Sequence, residues 1–350
     1  MPADEGAVPA GDPSKRSAPA ASPARRSPLA RVRRLPVTAA GTRGPAAQPP
    51  TERIRATADV PADVPAAATA PTEVSPPPAS SGSRAGRNLP AAIGVGLGLG
   101  AIVLITLFVS RPSFAIFVGI ALVYACWEFA TALRADGIRI SVIPIAVGGA
   151  AALVAAWERG PSGLVVAILV ALVGVIVWRV ADGATNFARD VGASAFTLLY
   201  LPTLAAFAVL LAHPADGAAR ELAFVATVVC SDTGGYATGV LFGRHPLAPI
   251  VSKAKTWEGF AGSVLACSAA GILFLTLTFH QHWWKGLLFG LAIAATATIG
   301  DLGESMIKRD IGVKDMGRLL PGHGGLMDRL DSLLPCAAVA YLLLSAFAPV

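Results

Sequence analysis

Residues Asp301–Asp331 read DLGESMIKRDIGVKDMGRLLPGHGGLMDRLD, and their setting decides the fold. The stretch holds five aspartates, one glutamate, five Lys or Arg and one His, yet apolar runs flank it on both sides. So much charge makes a poor membrane span and a good site at a membrane face. Carboxylates hold divalent cations, while Lys, Arg and backbone N–H groups hold phosphate oxygens. Both capacities in one segment point to chemistry on a metal-bound phosphate compound.

The rest of the chain agrees with a membrane setting. Of 350 residues 54% are hydrophobic and only 14% charged. Several apolar runs reach the roughly 18–20 residues that cross a bilayer core, and they are too continuous for barrel strands. The expected fold class is an all-α polytopic membrane protein. Cys126, Cys230, Cys267 and Cys336 lie inside apolar runs without a CxxC pair and read as small apolar residues. The net charge of +6 is spread without interleaved aromatics, which argues against nucleic acid as a partner.

Residues 1–88 carry 16 of the 27 prolines and no apolar periodicity, so they are expected to be a disordered tail. Its 12 Lys/Arg against 7 Asp/Glu suit either contact with anionic headgroups or a solvated tether. Residues 89–350 form the membrane domain. Nine spans are expected, at about 90–110, 113–133, 140–156, 162–178, 192–212, 220–242, 257–279, 285–303 and 332–349. With the N-terminus cytoplasmic, 24 Lys/Arg fall inside and 4 outside, or 12 against 4 without the tail. The positive-inside rule therefore predicts nine spans and puts 304–331 in the cytoplasm. Gly94, Gly96, Gly98 and Gly100 have neither a preceding strand nor a following GKS, and read as helix packing rather than a nucleotide loop.

Candidate site residues follow from position. Asp232 interrupts the sixth run, and an intramembrane carboxylate costs about 2.5–3.5 kcal/mol unless it faces a cavity or partner. Lys255 precedes the seventh run, with Thr256 as its N-cap and Trp257 at the interface. Asp301, Ser305 and Lys308 stand at i, i+4 and i+7 on one helix face, and Glu304 can pair with Lys308. Pro321 to Gly325 must turn, which lets backbone N–H groups face an anion. Asp328 and Asp331 are one helical turn apart around Arg329. Asp301, Asp328 and Asp232 are thus expected at one depth, from three spans. His323 has no second ligand at zinc spacing and reads as a phosphate or backbone partner.

The sequence Ser305-x-x-Lys308-Arg309, then Lys314-Asp315, then His323-Gly324-Gly325-Leu326-x-Asp328-Arg329-Leu330-Asp331 closely resembles the signature of the phosphatidate cytidylyltransferases, the CDP-diacylglycerol synthases. Gly300-Asp301-Leu302-x-Glu304-Ser305 and Lys255-Thr256-Trp257-Glu258-Gly259 resemble that family too. The likeness runs from about 113 to 350 and is strongest after 229. One departure is SKAKTWEG at 252–259, where the family usually reads SPKKTWEG.

The resemblance implies transfer of CMP from CTP to phosphatidic acid, giving CDP-diacylglycerol and pyrophosphate. It implies Mg²⁺ on Asp301 and Asp328, with Asp232, Asp315 and Asp331 as further ligands and a second, monovalent cation as an additional candidate. Lys308, Arg309, Lys314 and Arg329 would neutralise phosphate, with Lys255, Ser305, His323, Gly324 and Gly325 also on the substrates. A homodimer in the cell membrane is implied as well. Two alternatives stay open: a CTP-dependent transferase for another lipid phosphate, and, on the strength of Asp232 and the Gly-rich spans, a secondary transporter for an anionic solute.

Overall fold

The computed structural model describes residues 89–317 and 324–349. The tail expected at 1–88, together with Arg318 and His323, lies outside the described residues. Ten helices follow in order: α1 Leu89–Val109, α2 Arg111–Ala135, α3 Val142–Ala181, α4 Phe187–Tyr200, α5 Pro202–Ala212, α6 Gly217–Phe242, α7 Trp257–Leu277, α8 Trp283–Asp310, α9 Met327–Leu330 and α10 Leu333–Phe347. Among the described residues, six helical segments are long and apolar enough to cross a membrane: α2, α3, α4 with α5, α7, α8, and α9 with α10.

Local chemistry sets the boundaries. Ser110 caps α2, its hydroxyl accepting from the Ser113 N–H at 3.2 Å, and Pro112 opens the first turn. Within α3, Gly160 adopts φ 64°, ψ −152°, which only glycine enters readily. Pro161 then starts a second arm. The arms fold back on each other, since a Cβ on Gly148 would collide with Ala171, 23 positions later. Two spans were expected over this stretch, and Gly160 divides α3 there into two arms. Leu201-Pro202 breaks the expected fifth span into α4 and α5, because proline cannot donate to the preceding turn.

The all-α expectation needs one correction. Pro246–Ala248 (β1) and Ser252–Thr256 (β2) pair antiparallel, a small hairpin between α6 and α7 where a loop was expected. Lys253 and Lys255 lie in β2, and the Trp257 N–H donates to the His245 carbonyl at 2.9 Å to seat the hairpin on α7. The two strands are too short to show as an alternating pattern.

Among the described residues three apolar clusters hold the bundle. The first gathers Phe129, Ile145, Leu198 and Leu201 from α2 to α5, the second Leu275, Phe289, Ile293 and Leu344 from α7, α8 and α10, and a small third Leu107, Phe114 and Ala212. Outward-facing Ile116, Ile120, Val154, Val166 and Leu265 are all more than half exposed, as lipid-facing positions are. Asp190 is buried yet compensated: Arg179 donates to it at 2.9 Å and the Arg139 N–H at 3.2 Å. This joins α3, α4 and the α2–α3 turn at one end of the bundle.

Candidate active site

The site begins where α6 crosses α7. Gly234 and Gly235 lie against Gly262 and Ser263, and the Ser263 hydroxyl donates to the Ser231 carbonyl at 2.7 Å. Small side chains permit this close approach between membrane helices. It leaves Asp232, next to Ser231, facing a cavity.

Thr256 caps α7, its hydroxyl accepting from the Gly259 N–H at 3.1 Å, as its position predicts. That cap fixes the direction of β2, and Lys255 thereby reaches α8, where its ammonium pairs with the Asp301 carboxylate. The pair joins two segments 46 residues apart in sequence.

A cavity of about 580 Å³ lies among these elements. Its charged lining is Asp232, Lys255, Asp301, Asp328, Arg329 and Asp331, from α6, β2, α8 and the start of the last span. Arg329 and Lys255 both act electrostatically on Asp232. Asp301, Asp328 and Asp232, expected to come together from three spans, line this one cavity. The Ser231, Thr256, Ser263 and Thr298 hydroxyl residues and apolar Leu99, Phe260 and Leu333 complete much of the wall. A volume of this order suits a small-molecule ligand.

Behind the cavity sits a denser ionic cluster. Lys308 lies 2.9 Å from Glu304 Oε2 and 2.5 Å from Asp328 Oδ1. The i, i+4 pair with Glu304 is thus only half of its role. Asp328 also accepts from the Met316 N–H at 3.2 Å and the Gly325 N–H at 2.6 Å. It closes the polar segment after α8 back onto its own far end. Gly324 has φ +83°, and a Cβ there would sit 2.6 Å from Asp328 Oδ2, so two separate constraints demand glycine. Asp331 caps its own neighbour, accepting from the Ser332 N–H at 2.7 Å, and adjoins Asp301 and Glu304.

Other expected residues stand apart from the cavity lining. Ser305 is half-buried on α8, while Arg309, Lys314 and Asp315 are exposed. Glu128 of α2 was missed altogether. It is 2% exposed; its Oε2 accepts from the Met327 N–H at 2.7 Å, and its Oε1 has no hydrogen-bond partner among the described residues. The signal was present, since a lone glutamate in YACWEFATA is an intramembrane carboxylate by the same rule that singled out Asp232.

The donor set bears on the metal. Among the described residues, no group of three or more His, Cys, Asp or Glu forms a ready cage. Mg²⁺ does not need one, because it takes one or two carboxylates and completes its shell with water and substrate phosphate. The oxygen-only acidic lining, with Asp232 and Asp301 facing the same cavity, fits that demand. Asp328 differs, its oxygens being already engaged by Lys308 and backbone N–H groups.

Comparison with known proteins agrees with this chemistry. The chain is 41% identical over 278 residues to the phosphatidate cytidylyltransferase of Mycobacterium leprae (strain TN), covering 75% of this chain and 89% of that one. It is 42% identical over 282 residues to the phosphatidate cytidylyltransferase of Mycobacterium bovis (strain ATCC BAA-935 / AF2122/97), covering 77% and 92%. Phosphatidate cytidylyltransferase 4, chloroplastic, of Arabidopsis thaliana is 43% identical over a shorter 131 residues, 37% of this chain and 33% of that one. The model of the cytidylyltransferase family matches residues 90–347, taking in all the described charged residues of the cavity. By that match and by these relatives, the chain belongs to the cytidylyltransferase family.

Proposed function

We propose that this protein is a phosphatidate cytidylyltransferase, transferring CMP from CTP to phosphatidic acid. The observation that carries the reading is the single cavity shared by Asp232, Lys255, Asp301 and Arg329, which offers carboxylates for a metal and cations for phosphate at a membrane-embedded site. A lipid phosphate oxygen attacks the α-phosphorus of CTP, the bond to the β-phosphate bridging oxygen breaks, and pyrophosphate leaves with the electron pair. No Ser, Cys or His nucleophile is needed, so positioning and charge neutralisation supply the rate.

Asp301 and Asp232 are the carboxylates that would hold Mg²⁺, with Asp331 beside them. When bound, the ion neutralises phosphate charge and steadies the leaving pyrophosphate. Lys255 is released to a phosphate once Asp301 has another partner, and Arg329 adds charge at the same wall. Lys308, between Glu304 and Asp328, orders the polar segment rather than reaching into the cavity. Arg309 and Lys314 lie outside that wall and would meet the incoming triphosphate, with Asp315, next to Lys314, as a further candidate ligand of the ion. A second, monovalent cation would share the acidic wall.

The orientation belongs to the same reading: nine spans with the N-terminus and the site cytoplasmic. Support comes from 24 Lys/Arg on that side against 4, and from the α3 hairpin, whose two arms each count as a span. Homodimerisation is implied by the family resemblance and is read from the mass of the detergent-purified particle.

The deciding experiment supplies purified protein with Mg²⁺, labelled CTP and a panel of lipid phosphates. Formation of a CMP-containing lipid and pyrophosphate from phosphatidic acid is expected. Product from a polyprenyl phosphate alone would redirect the reading to another lipid, and no product with any lipid would overturn it.

A further inference from the structure

Glu128 lies on α2, outside the cavity and far in sequence from every residue that lines it, yet it touches the polar segment at two places. A Cβ built on Gly317 or on Gly325 would run into the Glu128 carboxyl group, so that group fills the slot between these two glycines. Oε2 also receives the Met327 N–H at 2.7 Å. The two glycines stand on either side of positions 318–324 in the sequence. One buried carboxyl therefore touches both shoulders of that segment and the first residue of α9.

Asp328 reaches the same two shoulders through the N–H groups of Met316 and Gly325. Asp328 is in turn tied to Lys308 on α8. The neck of the segment is thus gripped by two carboxylates, one from α2 and one from α9. Among the described residues Glu128 Oε1 has no hydrogen-bond partner, and a desolvated acceptor that loses its water costs stability.

From this geometry we propose that Glu128 is a positioning residue for nucleotidyl transfer, holding Gly317, Gly325 and Met327 so that Asp328, Arg329 and Asp331 keep their places at the cavity. The proposal rests on the reading of the site given above. Glu128 touches no substrate. It acts by fixing where the start of the last span sits, and a displacement of about 1 Å at such a site can cost ~10²-fold in rate.

The test uses the full-length protein in detergent, with Glu128→Ala, Glu128→Gln and Glu128→Asp compared with wild type. Three readouts are taken: kcat and KM for CTP, thermal midpoint, and hydrogen exchange of the peptides covering 313–331. The expected result for Glu128→Ala is a fall in kcat of about 10²-fold with a small drop in thermal midpoint, because the buried Met327 N–H loses its acceptor, and faster exchange confined to 313–331. Glu128→Gln keeps the shape and an acceptor for Met327, and should recover part of the activity and the slow exchange. Glu128→Asp is one methylene short of the slot and should behave like alanine. Wild-type kcat in Glu128→Ala, or activity and thermal midpoint falling together with exchange faster throughout the bundle, would overturn the proposal. Should Glu128→Ala not fold, the Gln and Asp variants decide it, because full activity and slow exchange in both would equally overturn it. The exchange arm needs no turnover, so a wild-type protein without transferase activity would remove the proposed reaction and leave the neck grip still measurable.

Discussion

Lys308 Nζ lies 2.5 Å from Asp328 Oδ1 and 2.9 Å from Glu304 Oε2, so one ammonium serves two carboxylates that are almost wholly out of water. The three residues come from the end of α8 and the start of α9, with the segment 311–326 between them. This pairing ties the end of α8 directly to the start of α9.

Removing Lys308 strands two buried negative charges. Breaking a buried pair costs about 3–5 kcal/mol. Lys308→Met should lower the thermal midpoint and abolish turnover. Lys308→Met with Asp328→Asn should restore much of the stability but none of the activity. A double-mutant cycle on thermal unfolding checks this, and strictly additive losses would show that the two side chains are not coupled.

Asp301 should matter for chemistry more than for folding, because it is half-exposed at the cavity and its partner Lys255 can be solvated. Asp301→Asn is expected to lose at least ~10²-fold in kcat with little change in thermal midpoint. The Mg²⁺ concentration for half-maximal rate should also rise. Near-normal rates would take Asp301 out of the metal assignment. Asp328→Asn should also lose turnover, but with a drop in midpoint, since its oxygens anchor backbone N–H groups.

Chelation tests the metal directly. Excess EDTA should stop product formation, and Mg²⁺ in excess of the chelator should restore it without refolding. Full activity in EDTA would mean that the acidic wall has another use.

Gly324→Ala places a side chain at φ +83° and against Asp328. The left-handed conformation alone costs about 1–2 kcal/mol. A loss of kcat of about tenfold or more is expected, with CTP binding less affected; a rate within twofold of wild type would show that this turn is free to shift.

The legible parts of the site are those with a local period or cap. Asp301, Ser305 and Lys308 share a face because 3.6 residues make a turn, and Thr256 caps α7 because its hydroxyl has a free N–H three residues on. Asp232 announces itself by the cost of a carboxylate in an apolar run. What spacing does not reveal is which partner a side chain chooses across space. Asp328 reads as a metal ligand beside Arg329, yet its oxygens go to Lys308, Met316 and Gly325. Glu128 depends on the same long-range pairing. The β1–β2 hairpin is illegible for a different reason: strands of three and five residues carry too little periodicity to rise above a loop.

The bond from Met327 to Glu128 closes over 199 residues of chain. Contacts of such separation form late, since the intervening chain must first be laid down. As spans enter the membrane in turn, α2 carries an unmatched carboxylate until α9 arrives behind α8. The neck is therefore among the last features completed during biogenesis, and a chain stopped after α8 can insert most of its helices and still have no finished site. Competence for chemistry is in this way tied to synthesis having passed α9.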